Sequence, residues 1–350
     1  MSGVLSKLTC PTPIEQEELI QMAHGGGGRK MANLIEKHFL PLLKNDALAQ
    51  LGDGAIIQVG GERLAISTDS FVVSPPFFPG GNIGSLAVHG TVNDLAMCGA
   101  EPVALSLALI LEEGFRRSDL DQIMASVASE SAAVGASVVT GDTKVVERGK
   151  GDSIYITTTG LGRVRPGVNV APQNARPKDR VLISGPVGDH GMAVMAARHG
   201  LTFDPPLHSD SAAVLPAVRA LLDSVPDAHV LRDPTRGGLA TALCEIATAS
   251  GVQICLDESA IPVRREVAAA CELLGFDPLY VACEGRFLAI VAEDVADKAL
   301  NAIRKTLIGS QAATIGYVEQ SALARVLLRT RIGSHRRLER LSGEQLPRIC

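Results

Sequence analysis

The sequence has no tryptophan, and only 3% of its 350 residues are aromatic. Glycine is abundant at 35 residues, so we expect a core of Ala, Val, Leu and Ile side chains packed against closely approaching backbone. Apolar residues make up 46% of the chain and charged residues 20%, as in ordinary globular proteins. At roughly 150 residues per domain, the length predicts about two domains.

The sequence also lacks an apolar run near the ~20 residues that are needed to span a bilayer. Its first seven residues show no basic segment followed by an apolar one, which is the pattern of a secretory signal. We therefore expect a cytoplasmic protein without a membrane partner. The net charge of −5 argues against nucleic acid as the main partner.

Paired cysteines are missing as well. The 7 cysteines are odd in number and include no CxxC pair, so neither a disulfide framework nor a zinc site is indicated. The last residue, Cys350, ends a polar and irregular segment, and we expect residues 333–350 to form a flexible tail. A thiol at the tip of a mobile arm can reach a distant site, which suits a carrier of a covalently attached group.

Strand and helix patterns alternate along the rest of the chain and predict its division into parts. Residues 1–50 form an N-terminal segment with a glycine-rich loop, and residues 51–165 an α/β domain. A proline-rich linker follows, and residues 178–332 form a second domain of mixed α+β character.

Gly60-Gly61 lies between two β-prone runs and predicts a two-residue hairpin. In that register Asp53 faces Thr68 and lies beside Asp69 at the open end of the hairpin. Two neighbouring carboxylates repel each other unless a cation or a proton joins them.

Further acidic residues lie beside glycines or at the predicted ends of elements. Asp94 follows Asn93 late in a predicted helix over residues 83–97, on the side away from its buried face. Asp142 precedes Lys144 after a strand, and Asp233 stands at a plausible helix N-cap. Each aspartate taken alone is more often a turn or cap residue. Together they favour a site for Mg²⁺ and phosphate, because Mg²⁺ takes carboxylate oxygens and bridges phosphates.

The run from His24 through Gly25, Gly26, Gly27 and Gly28 to Arg29 is neither a Walker motif nor a dinucleotide fingerprint. Its backbone N–H groups can still close over phosphates, although a flexible linker has the same composition. His190, between glycines at a predicted helix start, lies where an anion would be bound.

An ordered set of motifs resembles the hydrogenase-maturation family HypE over essentially the whole chain. The motifs are His24-Gly-Gly-Gly-Gly-Arg29, Ser67-Thr-Asp-Ser70, Gly90-Thr-Val-Asn-Asp-Leu-Ala96, Gly141-Asp-Thr-Lys144, Gly188-Asp-His-Gly191, Arg232-Asp-Pro-Thr-Arg-Gly-Gly-Leu239, Ala282-Cys-Glu-Gly285 and Pro347-Arg-Ile-Cys350. One departure is Gly26, which stands where the family more often has serine, so no side-chain hydroxyl is offered there.

The resemblance implies a fold of class α/β and α+β, with two PurM-like (AIR synthetase-like) domains and a flexible C-terminal tail. The superfamily includes aminoimidazole ribonucleotide synthetase, selenophosphate synthetase and thiamine-monophosphate kinase. It implies a homodimer formed through a β-barrel, and ATP with Mg²⁺ in the cleft. The implied protein partners are the carbamoyltransferase HypF and the iron-bearing HypC-HypD complex.

The implied reaction is the ATP-dependent dehydration of a carbamoyl group on Cys350 to a thiocyanate, whose cyanide later reaches the iron of [NiFe] hydrogenase. Catalytic residues by this resemblance are Cys350, Lys144, which would neutralise phosphate charge, and Glu284, the candidate general base. A surface turn acid is the alternative reading of Glu284. The implied nucleotide-binding residues are Gly25, Gly26, Gly27, Gly28, Asp69, Asn93, Asp94, Asp142, Lys144, His190 and Asp233. The implied metal ligands are Asp53, Asp69, Asp94, Asp142 and Asp233.

Two other functions compete with this interpretation. A selenophosphate synthetase-like enzyme would phosphorylate a small molecule, but that family tends to place a cysteine beside Lys in its N-terminal glycine-rich segment. Here Cys10 precedes Pro11, and no cysteine adjoins Gly25–Gly28. A non-catalytic carrier would display Cys350 without needing the internal aspartates, lysine and glycines.

Overall fold

The structure is a computed structural model that describes residues 19–43, 45–343, 346 and 348–350. The first 18 residues of the predicted N-terminal segment, with Cys10, lie outside the described residues, as does Pro347 of the terminal motif. No helix within the described ranges is long and apolar enough to cross a membrane.

A short helical segment follows the glycine run. It consists of α1 (Arg29–Leu34), one π-helical turn (Ile35–Phe39) and α2 (Leu40–Leu43). Gly28 is the N-cap of α1, with extended backbone.

The first domain has one five-stranded sheet and two long helices. Its elements are β1 (Ala55–Val59), β2 (Glu62–Phe71), the short pair β3 (Phe77–Phe78) and β4 (Gly81–Asn82), α3 (Ile83–Met97), β5 (Ala100–Glu112), α4 (Arg117–Val134), β6 (Ser137–Val146) and β7 (Ile154–Val164). The sheet order is β1-β2-β7-β5-β6, with only the β5–β6 pair parallel. These elements confirm the predicted α/β character of the first domain.

The hairpin register predicted from Gly60-Gly61 is confirmed. Ala55 pairs with Ile66 and Val59 with Glu62, and both turn glycines have positive φ, at 57° and 88°. Glycine adopts this left-handed region without the steric cost of a side chain. The hairpin therefore brings the chain before β1 alongside the end of β2.

The second domain is built on a seven-stranded sheet. Its elements are β8 (Arg180–Ile183), α5 (Asp189–His199), α6 (Leu215–Ser224), β9 (Val230–Arg232), α7 (Gly238–Ser250), β10 (Gln253–Asp257), α8 (Arg265–Leu274), β11 (Leu288–Val291), α9 (Ala296–Arg304), β12 (Ala313–Glu319), β13 (Arg325–Arg329) and β14 (His335–Leu338). The sheet order is β14-β13-β10-β12-β8-β11-β9. The sequence did not predict β9 or β14.

Strand β14 lies within the segment that the sequence predicts to be a flexible tail. Leu338 pairs with Val326 of β13, and Arg329 pairs with His335. Only Leu338 of the four β14 residues is buried, so this edge strand presents a mostly polar sequence without an apolar repeat. The irregular segment predicted from Gly333 therefore begins after Leu338 in the structure.

Helix α3 lies where the two domains meet. Its N-cap, Asn82, accepts hydrogen bonds from the backbone N–H groups of Gly84 and Ser85 at 2.8 and 3.2 Å. The helix packs on β2, β7 and α4 of its own domain and on α6 of the second, and every residue is buried. The expectation that Asp94 lies off the buried face is therefore wrong, because this helix has no solvent face.

Candidate functional site

Three aspartates from separate parts of the chain converge at the domain junction. Asp53 precedes β1, Asp94 lies in the last turn of α3, and Asp233 follows β9. One carboxylate oxygen from each lies within 4.8 Å of the other two. Asp94 is 9% exposed and Asp233 5%, and the buried Oδ2 of Asp233 has no hydrogen-bond partner among the described residues.

Burial and mutual repulsion raise the pKa values of these carboxyl groups. Burial raises the pKa of Asp53 to about 6, although the neighbouring Arg232 acts to lower it. Burial first, and then neighbouring aspartates, raise the pKa values of Asp94 and Asp233 well above the usual range. Burial is also the largest cause of the raised pKa of Asp69. Converging, poorly solvated carboxylate oxygens of this kind match the ligands that Mg²⁺ takes.

Arg232 anchors one side of the cluster, and sequence reasoning did not select it. Its Nη1 lies 2.8 Å from Oδ1 of Asp53, and its Nη2 lies 2.7 Å from Oε2 of Glu245 on α7. The side chain is 17% exposed. Each terminal nitrogen of Arg232 thus faces a protein carboxylate, which ties Asp53 to α7 through Glu245.

Two neighbouring cavities open at the domain junction. The first has a volume of about 660 Å³, within the range typical of ligand sites, and holds the acidic cluster. Asp69, Gly27 and Gly28 also line it. The second has a volume of about 440 Å³ and is lined by residues that include Gly25, Gly26 and Cys350.

The glycine run is held against the second domain by close contacts. Gly27 has φ +75°, and a Cβ there would lie 2.6 Å from Cβ of Arg236. A Cβ on Gly28 would lie 2.3 Å from the carbonyl oxygen of Leu341. The backbone N–H of Arg29 donates to that same oxygen at 2.8 Å. The run is therefore packed in place, with Gly27 and Gly28 admitted only because they lack a side chain.

The end of the chain lies inside the second cavity. The backbone N–H groups of Val72 and Ser74 donate to the carbonyl oxygens of Cys350 and Arg348, at 3.1 and 3.2 Å. Ile349, between them, is 3% exposed. Backbone pairing of this kind fixes the segment that carries the terminal thiol.

The Cys350 thiol lies beside Glu284. Burial first, and then the Glu284 carboxylate, raise the pKa of the thiol. Glu284 itself is 3% exposed, and its Oε1 has no hydrogen-bond partner in the part of the chain that the structure describes. Burial, with Asp233 next, raises the pKa of Glu284 well above the usual range. A surface turn acid is therefore excluded for Glu284, which has the environment of a general base or acid.

Backbone contacts fix Glu284 on both sides. Its N–H donates to Oδ1 of Asp210 at 3.1 Å, and its carbonyl accepts from Nδ2 of Asn93 at 3.1 Å. Asn93 also donates to the carbonyl of Ala212 at 3.0 Å and accepts from the N–H of Val214 at 2.8 Å. These contacts use the amide of Asn93 to join α3 to the second domain. The expectation that Asn93 binds nucleotide is not supported by this geometry.

His190 also lies elsewhere than the resemblance implies. It is completely buried, and its Nε2 donates to the carbonyl of Ile349 at 2.9 Å while Nδ1 pairs with Oγ of Ser209 at 2.7 Å. Burial lowers the pKa of the imidazole. Both ring nitrogens are engaged within the protein, so His190 holds the tail and does not face the acidic cavity.

Asp142 and Lys144 are not brought to the cluster by their own chain. Strand β6 extends to Val146, so both residues lie within it, and their side chains are 60% and 69% exposed and pair at 3.0 Å. The hydrogen bond from Lys144 is the largest of the effects that lower the pKa of Asp142. Three strand spacings separate β6 from β2, or about 14 Å. Neither residue lines the two cavities formed by the described residues.

Comparison with known proteins agrees with this architecture. Residues 51–164 match the N-terminal domain of the AIR synthase related proteins, and residues 176–328 match the C-terminal domain. Two such domains around an acidic cleft define a member of the AIR synthase related class.

Comparison with individual relatives identifies the family within this class. Carbamoyl dehydratase HypE of Azotobacter vinelandii is 51% identical over 331 residues, which cover 95% of this chain and 97% of the relative. The chain belongs to the HypE family. A crystal structure of HypE in complex with ATP has a TM-score of 0.81 and 46% identity, covering 95% of this chain and all of that one. HypE in a HypE–HypF complex gives a TM-score of 0.84 and 45% identity, covering 88% and 99%.

Proposed function

We propose that the protein uses ATP to remove water from a carbamoyl group on Sγ of Cys350, which leaves a thiocyanate. One observation carries the proposal: the terminal thiol lies against buried Glu284, beside an acidic cavity of ligand size. The carbamoyl dehydratase relatives support the same reaction. The CN group of the thiocyanate, transferred to an acceptor, would supply the ligand of the iron in [NiFe] hydrogenase.

The chemistry explains why a phosphate donor and a base must meet at the thiol. A carboxamide oxygen is a poor leaving group. When that oxygen attacks the γ-phosphorus, the bond from phosphorus to the β–γ bridging oxygen breaks and ADP departs. The nitrogen then loses one proton to give an imidate phosphate. Loss of the second N–H proton and cleavage of the C–O bond give the nitrile and inorganic phosphate.

Glu284 is the base in this proposal. Its carboxylate lies beside Cys350 in a poorly solvated position, and its raised pKa makes it a stronger proton acceptor than an exposed glutamate. Asn93 and Asp210 hold its backbone, so the carboxylate stays close to the carbamoyl nitrogen.

The acidic cluster fits Mg²⁺. Asp53, Asp94 and Asp233 would hold the ion with Asp69 nearby, and the unpartnered oxygen of Asp233 is the kind of buried atom that a cation satisfies. When bound, the ion would neutralise charge on the triphosphate. Gly27 and Gly28 line the same cavity and offer backbone N–H groups to phosphate.

A homodimer is part of the proposal because β6 has an unpaired edge. Within the described residues its only ladder partner is β5. Val139 and Val145 of β6 are each 66% exposed, and an open apolar edge of this kind is normally covered. A second copy that covers β6 would carry Asp142 and Lys144 towards the other subunit's nucleotide cavity.

The carbamoyltransferase HypF is the proposed donor of the carbamoyl group, since a related HypE forms a complex with HypF. The HypC-HypD complex is the proposed acceptor of the cyanide. The proposed compartment is the cytoplasm, because the six described cysteines are all free thiols and thiols stay reduced there.

Mass spectrometry of the C-terminal peptide tests the function. The protein is incubated with HypF, carbamoyl phosphate, Mg²⁺ and ATP, and the expected sequence is a carbamoyl adduct on Cys350 followed by loss of one water. Cys350→Ala is the matched control, which should bind ATP and give no product. ATP turnover without modification of Cys350 would favour a small-molecule kinase, and absence of nucleotide binding would favour a carrier.

A further inference from the structure

Arg236 stands between the two cavities. Among the described residues it is the one that lines both the acidic cavity and the cavity that holds Cys350. Arg340 lines only the first of these cavities, and Arg348 only the second. Arg236 therefore lies between a triphosphate bound in the first cavity and a carbamoyl group on Cys350 in the second.

We propose that Arg236 is a catalytic residue whose guanidinium contacts the transferring phosphoryl group and the carbamoyl oxygen on Cys350. This inference rests on the proposed dehydration and assigns one of its groups. Sequence reasoning and the resemblance did not select Arg236 for any role.

The polar contacts of the Arg236 side chain with the described residues are long. Its Nη2 lies 3.9 Å from Oδ1 of Asp69, and its Nη1 lies 3.5 Å from the carbonyl oxygen of Gly25. The side chain is 41% exposed. Arg232, in contrast, pairs with two carboxylates at 2.8 and 2.7 Å. The guanidinium of Arg236 thus leaves more of its N–H donors to a ligand than that of Arg232, whose two Nη atoms each already hold a carboxylate.

The backbone of Arg236 is fixed although its side chain is loosely held. Gly237 and Gly238 follow it with φ values of 80° and 62°. The N–H of Gly238 donates to the carbonyl of Thr235 at 2.8 Å, and Gly27 packs against the Arg236 backbone and Cβ. The loop therefore places the base of the side chain and leaves its tip to meet the substrate.

Two of the groups that act electrostatically on Arg236, Cys350 and Glu284, take part in the proposed reaction. Cys350 is the largest influence that raises the pKa of the guanidinium, and Asp69 and Glu284 add to it. When triphosphate enters the first cavity, this cation lies between the negative donor and the acceptor oxygen. A guanidinium matches phosphoryl oxygens in a two-pronged geometry.

The charge argument applies to both steps of the reaction. As the carbamoyl oxygen bonds to the γ-phosphorus and ADP departs, charge spreads over the three equatorial phosphoryl oxygens. Arg236 would stabilise that charge without gaining or losing a proton. In the second step it would stabilise the departing phosphate while Glu284 takes the N–H proton.

The test is a single-turnover dehydration with protein that HypF has already carbamoylated. Arg236→Gln should lower the rate constant by about 10²–10³-fold, the typical effect of removing one transition-state donor. Arg236→Lys should recover part of the rate, because it restores charge but not the fork. Arg329→Gln is the matched control, since Arg329 is 60% exposed and pairs with Asp257 on the second domain's surface. It should react at the wild-type rate.

Chemical rescue separates catalysis from structure. Added guanidinium should restore dehydration by Arg236→Ala with saturation, whereas a purely structural defect would not respond. Calorimetry should show an ATP dissociation constant raised by no more than about tenfold, or ~1.4 kcal/mol.

A wild-type rate in Arg236→Gln would overturn the inference. So would a rate loss that neither lysine nor guanidinium repairs. If carbamoylated wild-type protein itself fails to lose water with ATP, the proposed function is wrong and this assignment is wrong with it.

Discussion

The imidazole of His190 donates a hydrogen bond from Nε2 to the backbone carbonyl of Ile349 at 2.9 Å, one residue before the terminal cysteine. Because the carbonyl can only accept, Nε2 carries the ring proton, and Oγ of Ser209 pairs with the other ring nitrogen. A histidine of the second domain therefore holds the segment that carries the reacting thiol. The end of the tail is buried within the same protein. Loading by a partner requires this segment to leave.

We expect His190→Ala to release the tail more often. Loss of one hydrogen bond to a buried carbonyl costs about 1–2 kcal/mol, which corresponds to about 5–30-fold in the population of the released state. Alkylation of Cys350 by a maleimide, followed by peptide mass spectrometry, should accelerate by that factor. His199→Ala on the exposed end of the same helix is the control. Equal alkylation rates in the two variants would contradict the assignment.

The Glu284→Gln variant should lose dehydration while keeping ATP. General base catalysis contributes about 10²–10⁴-fold, so the single-turnover rate should fall by that factor. The wild-type rate should rise with pH, because the base works only when ionised and its raised pKa keeps it protonated in acid. The variant should lose this rise. Glu272→Gln, on an exposed position of α8, should keep both the rate and the pH profile.

Sequence and structure agree most closely where a local pattern determines geometry. Gly60-Gly61 predicted the register that places Asp53 near the end of β2, because a two-residue turn leaves one pairing. The convergence of Asp53, Asp94 and Asp233 follows from element ends that meet at the domain junction. Glu284 was identified by motif resemblance, but its burial depends on Asn93 and Asp210, which are distant in sequence.

Predicted and observed positions differ where contacts between residues distant in sequence determine the position of a side chain. Asp94 was expected on the outer side of α3, and no local pattern reveals that a second domain covers that side. Asn93 and His190 have partners 191 and 159 residues away, and no local pattern reveals these contacts. Lys144 fits the implied phosphate role only in an assembly, which a single sequence does not display.

The Asp233→Asn variant should bind Mg·ATP more weakly. Loss of one carboxylate ligand should raise the dissociation constant by about tenfold or more, or at least ~1.4 kcal/mol, measured by calorimetry. Without Mg²⁺ the variant should melt no lower than the wild type, because it removes one of three mutually repelling carboxylates. Asp297→Asn, at an exposed position of α9, is the control. Unchanged affinity in Asp233→Asn would remove this residue from the metal site.

Gly28→Ala should damage both stability and nucleotide binding. The added Cβ would lie 2.3 Å from the Leu341 carbonyl, so the glycine run or the segment after β14 must shift. Overpacking of this kind costs about 1–3 kcal/mol in the free energy of unfolding, which denaturant titration measures. Gly25→Ala is a matched control in the same run, since its nearest contact would be an ordinary 3.6 Å. Similar losses in both variants would show that the contact with Leu341 is not responsible.

The exposed edge of β6 predicts that Val139→Arg disrupts the dimer. A charged side chain on an edge strand opposes pairing with another copy. Light scattering after gel filtration should give a dimer for the wild type and a monomer for Val139→Arg. Leu307→Arg is the control, because Leu307 is 94% exposed on the second domain. A dimer that persists in Val139→Arg would place the subunit contact elsewhere.

Mixing two inactive variants tests whether Lys144 serves the other subunit. Lys144→Gln retains Cys350, and Cys350→Ala retains Lys144, so neither homodimer should dehydrate a carbamoyl group. In a mixed dimer, Cys350 of one subunit meets Lys144 of the other, and one intact site is formed. Random exchange of subunits should then recover about a quarter of the wild-type sites. No recovery, with mixed dimers verified by native mass spectrometry, would mean that Lys144 does not act across the interface.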